Sequence, residues 1–140
     1  MFFMQKLIER FIAVVKKNAK EIAVVDCNGT RKTTYEELNV LRMRIAGKLK
    51  SYNFAPGTPV LILMDRNVEY VGCYLGILSA GLACVPLSLE YPQDRIDYIK
   101  ENCGSPLVLT EEFLADLDDY EPWDGMDVPD DCTACIVYTS

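Results

Sequence analysis

From Tyr70 to Leu89 the chain carries no charged residue. An apolar run of that length either crosses a bilayer, whose hydrocarbon core takes roughly 20 helical residues, or is buried in a protein core. Its interior decides between them. Gly72, Gly76, Ser79, Gly81, Pro86 and Ser88 interrupt the run, and Glu69 and Glu90 bracket it where a membrane span would carry a positive flank. It therefore reads as a buried helix, closed by Gly81 in the left-handed conformation, followed by a buried strand, Ala83–Val85, stopped by Pro86. The helix is apolar nearly all round, through Val68, Val71, Leu75, Ile77 and Leu78, so other layers must cover it.

The rest of the chain alternates helix and strand. Leu7, Phe11, Val14 and Val15 fall on one face of an amphipathic opening helix. Ile22–Asp26 is strand-like, and Asn28-Gly29 signals a hairpin, because both residues tolerate positive φ. Thr34-Tyr35-Glu36-Glu37 fits a capping box. The helix that follows buries Leu38, Leu41, Ile45 and Leu49 and exposes Arg42, Arg44, Lys48 and Lys50. Pro56-Gly57 is a turn, and Val60–Met64 is an unbroken apolar run suited to a strand covered on both faces. Asp65 or Asn67 caps the buried helix. Pro92 takes the first position of another helix, whose inner face is Ile96, Ile99 and Cys103 and whose end is Gly104. Leu107–Leu109 is a strand, Glu111–Asp119 a short helix, Glu121–Asp131 a loop and Cys135–Tyr138 a last strand. The fold class is α/β: a layered, largely parallel sheet flanked by helices, with an N-terminal β-hairpin.

Charge and composition exclude several functions. The 140 residues carry 14 Lys+Arg against 21 Asp+Glu, a net charge of −7. A nucleic-acid partner would need an electropositive face, so none is expected. The absence of His removes Ser-His-Asp and Cys-His catalysis from this chain and most zinc sites with it. All the basic residues lie in residues 1–100, which total +4, whereas residues 101–140 hold eleven acids and no base. That stretch reads as a solvated acidic loop, and an anion site there needs cations from elsewhere. Charges near Met1 break up any signal-peptide stretch. The expected setting is cytoplasmic, without a membrane, and with reduced thiols.

Local clusters are weak candidates for chemistry. Cys132 and Cys135 have redox spacing but lead into a strand rather than opening a helix, so they read as structural thiols. Asp116, Asp118 and Asp119 lack the Gly and Glu positions of a calcium loop. Glu36 and Glu37 are neighbours that do not face each other on a helix. Arg66 and Arg95 read as partners of nearby acids such as Asp65 and Asp94. The most informative feature is Thr139-Ser140, a hydroxyl pair just past a buried strand, where a phosphate-binding turn would begin.

Four stretches jointly resemble the adenylation domains of non-ribosomal peptide synthetases, members of the adenylate-forming superfamily. Thr33–Leu38 resembles their first core motif, which opens a helix. Leu75–Leu87 resembles the second, with Ser79 in place of a Lys, Cys84 in place of a Tyr and Ser88 just beyond in place of an Asp. Tyr91-Pro92-Gln93-Asp94-Arg95 matches Tyr-Pro-x-x-Arg. Ala134–Ser140 resembles the start of the third motif, Tyr-Thr-Ser-Gly-Ser-Thr-Gly-x-Pro-Lys-Gly. The order and spacing are those of the family.

The resemblance implies residues 1–140 as the N-terminal portion of an AMP-binding adenylation domain, truncated at the start of the phosphate loop. It implies a ligase that activates a carboxylate, an amino acid by this likeness, as acyl-AMP with ATP and Mg²⁺, then passes it to the thiol of a carrier protein or coenzyme A. Only Thr139 and Ser140 are assigned to nucleotide binding, no residue is assigned to catalysis or metal binding, and the chain alone is expected to be inactive and to bind no cofactor. Its partner would be the remainder of the domain. As a fragment it is expected to form a homo-oligomer, through Tyr70–Leu78 or the last strand. The alternatives are an acyl-coenzyme A or D-alanine-carrier-protein ligase fragment, and a non-catalytic α/β interaction module.

Overall fold

The computed structural model describes residues 4–126 and 132–139. Helix α1 (Met4–Asn18) leads into strands β1 (Ile22–Val25) and β2 (Lys32–Thr34), and helix α2 (Tyr35–Lys50) follows directly. Then come β3 (Pro59–Ile62), α3 (Val68–Ser79), β4 (Ala83–Pro86), α4 (Gln93–Cys103) and β5 (Val108–Leu109), with two short 3₁₀ turns, Glu111–Leu114 and Leu117–Asp119. β1 and β2 pair antiparallel as a separate hairpin, and the main sheet is parallel in the order β4-β3-β5. A largely parallel sheet with flanking helices and an N-terminal hairpin is thus what the alternation of patterns foretold.

Strand periodicity divides the core. Val60 and Ile62 of β3, Cys84 of β4 and Leu109 of β5 face a cluster built from α2, α3 and Ile8 of α1. Leu61 of β3 and Val85 of β4 face the other way, onto Ile96 and Ile99 of α4. Successive side chains leave a strand on opposite faces, so three helices cover one side of the sheet and α4 the other.

Local signals fix the element ends. Thr34 Oγ1 accepts from the Glu37 amide at 3.2 Å while Glu37 Oε1 accepts from the Thr34 amide at 3.0 Å, which completes the capping box. Asn67, not Asp65, caps α3, accepting from the Tyr70 amide. Gly104 ends α4 with φ 72°. α3 packs against α2 where Gly72 and Gly76 leave room: a Cβ on Gly76 would lie 2.6 Å from Ile45 Cγ2, and one on Gly72 2.6 Å from Leu41 Cδ2. With α2 on one flank and the sheet on another, α3 buries Val68, Cys73, Leu75, Ile77 and Leu78. At those residues the chain itself supplies the cover that an all-round apolar helix requires.

Other expectations are also corrected. On α1, Ile8 points inward and Val14 is exposed. In the hairpin only Gly29 takes positive φ. The loop is four residues long, closed by the Asp26 amide on Arg31 O, so a two-residue turn is not formed. Pro92 is the N-cap of α4 rather than its first helical residue. The expected helix over Glu111–Asp119 is two 3₁₀ turns. The expected strand Cys135–Tyr138 is reduced to one parallel bridge, Cys84 to Cys135. Cys84 N–H donates to Ala134 O at 2.9 Å and Cys84 O accepts from Ile136 N–H at 2.8 Å. The next donor along that edge of β4 would be residue 86, a proline without an N–H, so the ladder stops.

The largest correction concerns charge. Arg42 and Lys48 were expected on the exposed side of α2, yet both are buried. Arg42 donates to Asn39 Oδ1 and Ser79 Oγ, and to Asp124 through both the carbonyl and Oδ1. Lys48 donates to Phe113 O and Asp116 Oδ1 and lies 4.2 Å from the Phe113 ring centre. The acidic stretch is therefore tied to α2 by paired ions, not free in solvent, and main-chain bonds from Trp123 to Met43 and from Met126 to Ser79 hold it there.

Candidate functional site

Thr139 stands at the carboxyl end of the segment that bridges to β4, on the sheet end where α/β folds place their ligands. It is exposed. Ser140, the other expected binding residue, lies outside the described residues.

Two side chains of α4 hold the strand end. Arg95 Nη2 donates to Thr139 O at 3.0 Å. Tyr138 Oη donates to Asn102 Oδ1 at 2.6 Å. Arg95 and Asn102 are seven residues apart, two helical turns, and so share one face of α4. The Arg95 guanidinium also lies 4.8 Å from the Tyr91 ring centre, a cation–π contact. Its Nε–H is buried and meets no acceptor among the described residues. Neither Arg95 nor Arg66 forms the expected ion pair with Asp94 or Asp65; Arg66 lies over the Tyr70 ring instead. Sequence reasoning missed the contact from Arg95 to Thr139. The available signal was the Tyr-Pro-x-x-Arg match, which puts the guanidinium one turn beyond an aromatic ring that can stack on it.

Behind the strand end sits a cluster of weak acids. Burial raises the Cys73 thiol to about 12, with the Glu69 carboxylate adding to the effect. Burial likewise raises Cys84, with Cys135 and Cys73 contributing, and Tyr74, whose further causes begin with its hydrogen bond to Cys135. These groups stay protonated and apolar in character at neutral pH. All six cysteines are free. Among the described residues no group of three or more acidic or thiol side chains could hold a metal ion, and no helix is long and apolar enough to cross a membrane. A shallow pocket of about 240 Å³ opens at the carboxyl ends of β3 and β4, beside Asp65, Arg66 and Ser88.

Residues 11–138 match the model of the AMP-binding enzyme family, so the chain belongs to that family. It is 38% identical over 106 residues to gramicidin S synthase 2 of Brevibacillus brevis, a match covering 76% of this chain and 2% of that protein. In fold it is similar to the N-terminal domain of FACL13 from Mycobacterium tuberculosis, with a TM-score of 0.84 at 19% identity, covering all of this chain and 42% of that one. The N-terminal subdomain of NpsA from Klebsiella oxytoca, solved with 3-hydroxyanthranilyl-AMSN, gives 0.80 at 20% identity, covering 96% of this chain and 37% of that one. The chain thus spans a small share of the synthases it matches and under half of these solved domains. It is an adenylate-forming, AMP-binding domain fragment of the non-ribosomal peptide synthetase type.

The two groups this family implies fit the described residues unequally. A nucleotide phosphate fits the strand end, where a buried guanidinium N–H lacks an acceptor beside Thr139. For Mg²⁺, no three acidic or thiol side chains gather among the described residues, so no residue of this span is assigned to it.

Proposed function

We propose that this chain is the N-terminal portion of an adenylation domain that ends at the start of the phosphate loop. The whole enzyme would activate a carboxylate, an amino acid, as its acyl-adenylate for transfer to a carrier-protein or coenzyme A thiol. The observation that carries the reading is Thr139 just past the segment that bridges in parallel to β4, with the Arg95 guanidinium bonded to its carbonyl. ATP, when bound, supplies the electrophilic phosphorus and the leaving pyrophosphate.

The chain's own part is positioning. β4 and α4 hold residues 134–139 at that end of the sheet, and the phosphate donors would follow there. Preorganised donors lower a barrier more than mobile ones do. The amino-acid preference rests on the likeness to gramicidin S synthase 2. Residues beyond this span would supply the loop glycines and lysine, the Mg²⁺ ligand and the carboxylate pocket. The remainder of the domain is then the first partner.

Pyrophosphate exchange into ATP tests this with a mixture of the twenty amino acids. The 140-residue chain stays at background. The same chain spliced in place of its counterpart in an adenylation domain of gramicidin S synthase 2 exchanges above background, and only with Mg²⁺. A silent splice that is folded by circular dichroism defeats the reading.

A further inference from the structure

We infer that a pocket at the amino ends of β3 and β4 is a binding site for a small aromatic carboxylate. Thr139 stands at the opposite, carboxyl end of the sheet, so this site is separate from the one described above and independent of the adenylation reading. The pocket holds about 140 Å³ and lies between the end of α2, the end of α3 and the acidic stretch. Leu49, Ala80 and Leu82 are its buried lining, and Phe54 and Trp123 its aromatic lining. Among the described residues in the lining, Lys50 alone is charged. Its Nζ lies 4.9 Å from the Trp123 ring centre and forms no ion pair among the described residues.

The walls are held before any ligand arrives. Trp123 N–H donates to Met43 O at 3.0 Å and Met126 N–H to Ser79 O at 2.9 Å, which pins both ends of that side to α2 and α3. Between them Asp124 is bonded to Arg42. The Phe54 ring stacks on Tyr52, with centres 5.3 Å apart. A site fixed in this way loses little ordering entropy on binding.

Size and charge define the ligand. An apolar cavity of about 150 Å³ accepts benzene, so one six-membered ring fits here and a second does not. Burying that ring against leucine and aromatic surface is favourable. An ammonium held over a ring face, rather than by a carboxylate, keeps its N–H donors for an anion brought by the ligand. Mostly apolar walls with one placed charge are the usual makeup of a small-molecule site.

The test uses phenylacetate as the probe and the fluorescence of the chain's single tryptophan, Trp123, as the readout. Titration of the 140-residue chain should saturate with a Kd of about 1 mM or tighter. Benzylamine, with the opposite charge on the same ring, should bind at least fivefold more weakly. Lys50→Met should weaken phenylacetate at least fivefold and leave neutral benzyl alcohol within twofold. Ala80→Met, which fills the pocket, should abolish the response to both, and Lys100→Met, on α4, should change neither. No saturable response in the parent, equal affinity for benzylamine, or unchanged phenylacetate binding in Lys50→Met would each overturn the inference. Where Ala80→Met does not fold by circular dichroism, Lys50→Met alone decides.

Discussion

Asp124 is largely exposed, yet it completes the shell of a guanidinium that has no contact with water. Replacing it with alanine leaves Arg42 bonded to Asn39, Ser79 and the residue 124 carbonyl but without its counter-charge. Hydrogen bonds to charged groups contribute about 1.5–3 kcal/mol. Water reaching the vacated edge softens the loss, so D124A should cost about 2 kcal/mol in urea unfolding and D124N less. Cys73 gives a pH-dependent prediction. Its folded thiol holds its proton up to about 12, whereas an unfolded thiol releases it near about 8.5. Between those values the folded state binds more protons than the unfolded state. The contribution is therefore complete below about pH 8.5 and falls as pH rises. The urea midpoint should drop more between pH 8 and pH 10.5 for the parent than for C73A. The pattern around Arg42 hid its burial: a basic residue between apolar positions looks like a solvent face, and its counter-ion lies 82 residues away. Arg95 was obscured in the same way, since its acceptor is a main-chain oxygen that no side-chain pattern announces.

Elements whose signals are local were legible. The box of Thr34 and Glu37, the Asn67 cap and the glycine stops at Gly81 and Gly104 each need only a few neighbouring residues, and each forms as its residue types dictate. Helix α2 also places Leu38, Ile45 and Leu49 in the core as their spacing requires. The short strands were less legible. Cys135–Tyr138 has strand composition, but the partner edge of β4 ends in Pro86, and composition cannot show which residue a strand will face. The contact of α2 with α3 yields a sharp test. Helix propensity alone favours replacing Gly76, but valine there must push into Ile45 and the Arg42 carbonyl. Overpacking of this kind costs about 1–3 kcal/mol, so G76V should lower the urea midpoint despite the better helix former.

At the scale of the molecule, α2 pairs three of its cations with acids of the stretch after Leu109: Arg42 with Asp124, Arg44 with Asp118 and Lys48 with Asp116. Of the sheet's two open edges among the described residues, β5 and the bridged segment at residues 134–136, the second lies beside Val137, which is 69% exposed. We propose pairing of two copies there. Sedimentation equilibrium at micromolar concentration should give a mass above the 15.8 kDa of one chain, and V137P should restore that value. The Thr139–Ser140 assignment remains a proposal and leans on the family resemblance, because two hydroxyls past a strand carry only a weak phosphate signature of their own. The long reach of Arg42 also has a consequence for biosynthesis. Its counter-ion is translated 82 residues later, an interval of roughly 4–16 s at about 5–20 residues per second. During that interval Arg42 has Asn39 and Ser79 but no counter-charge at the seam of α2 and α3, so the N-terminal half gains its full stability only after the acidic stretch has left the exit tunnel.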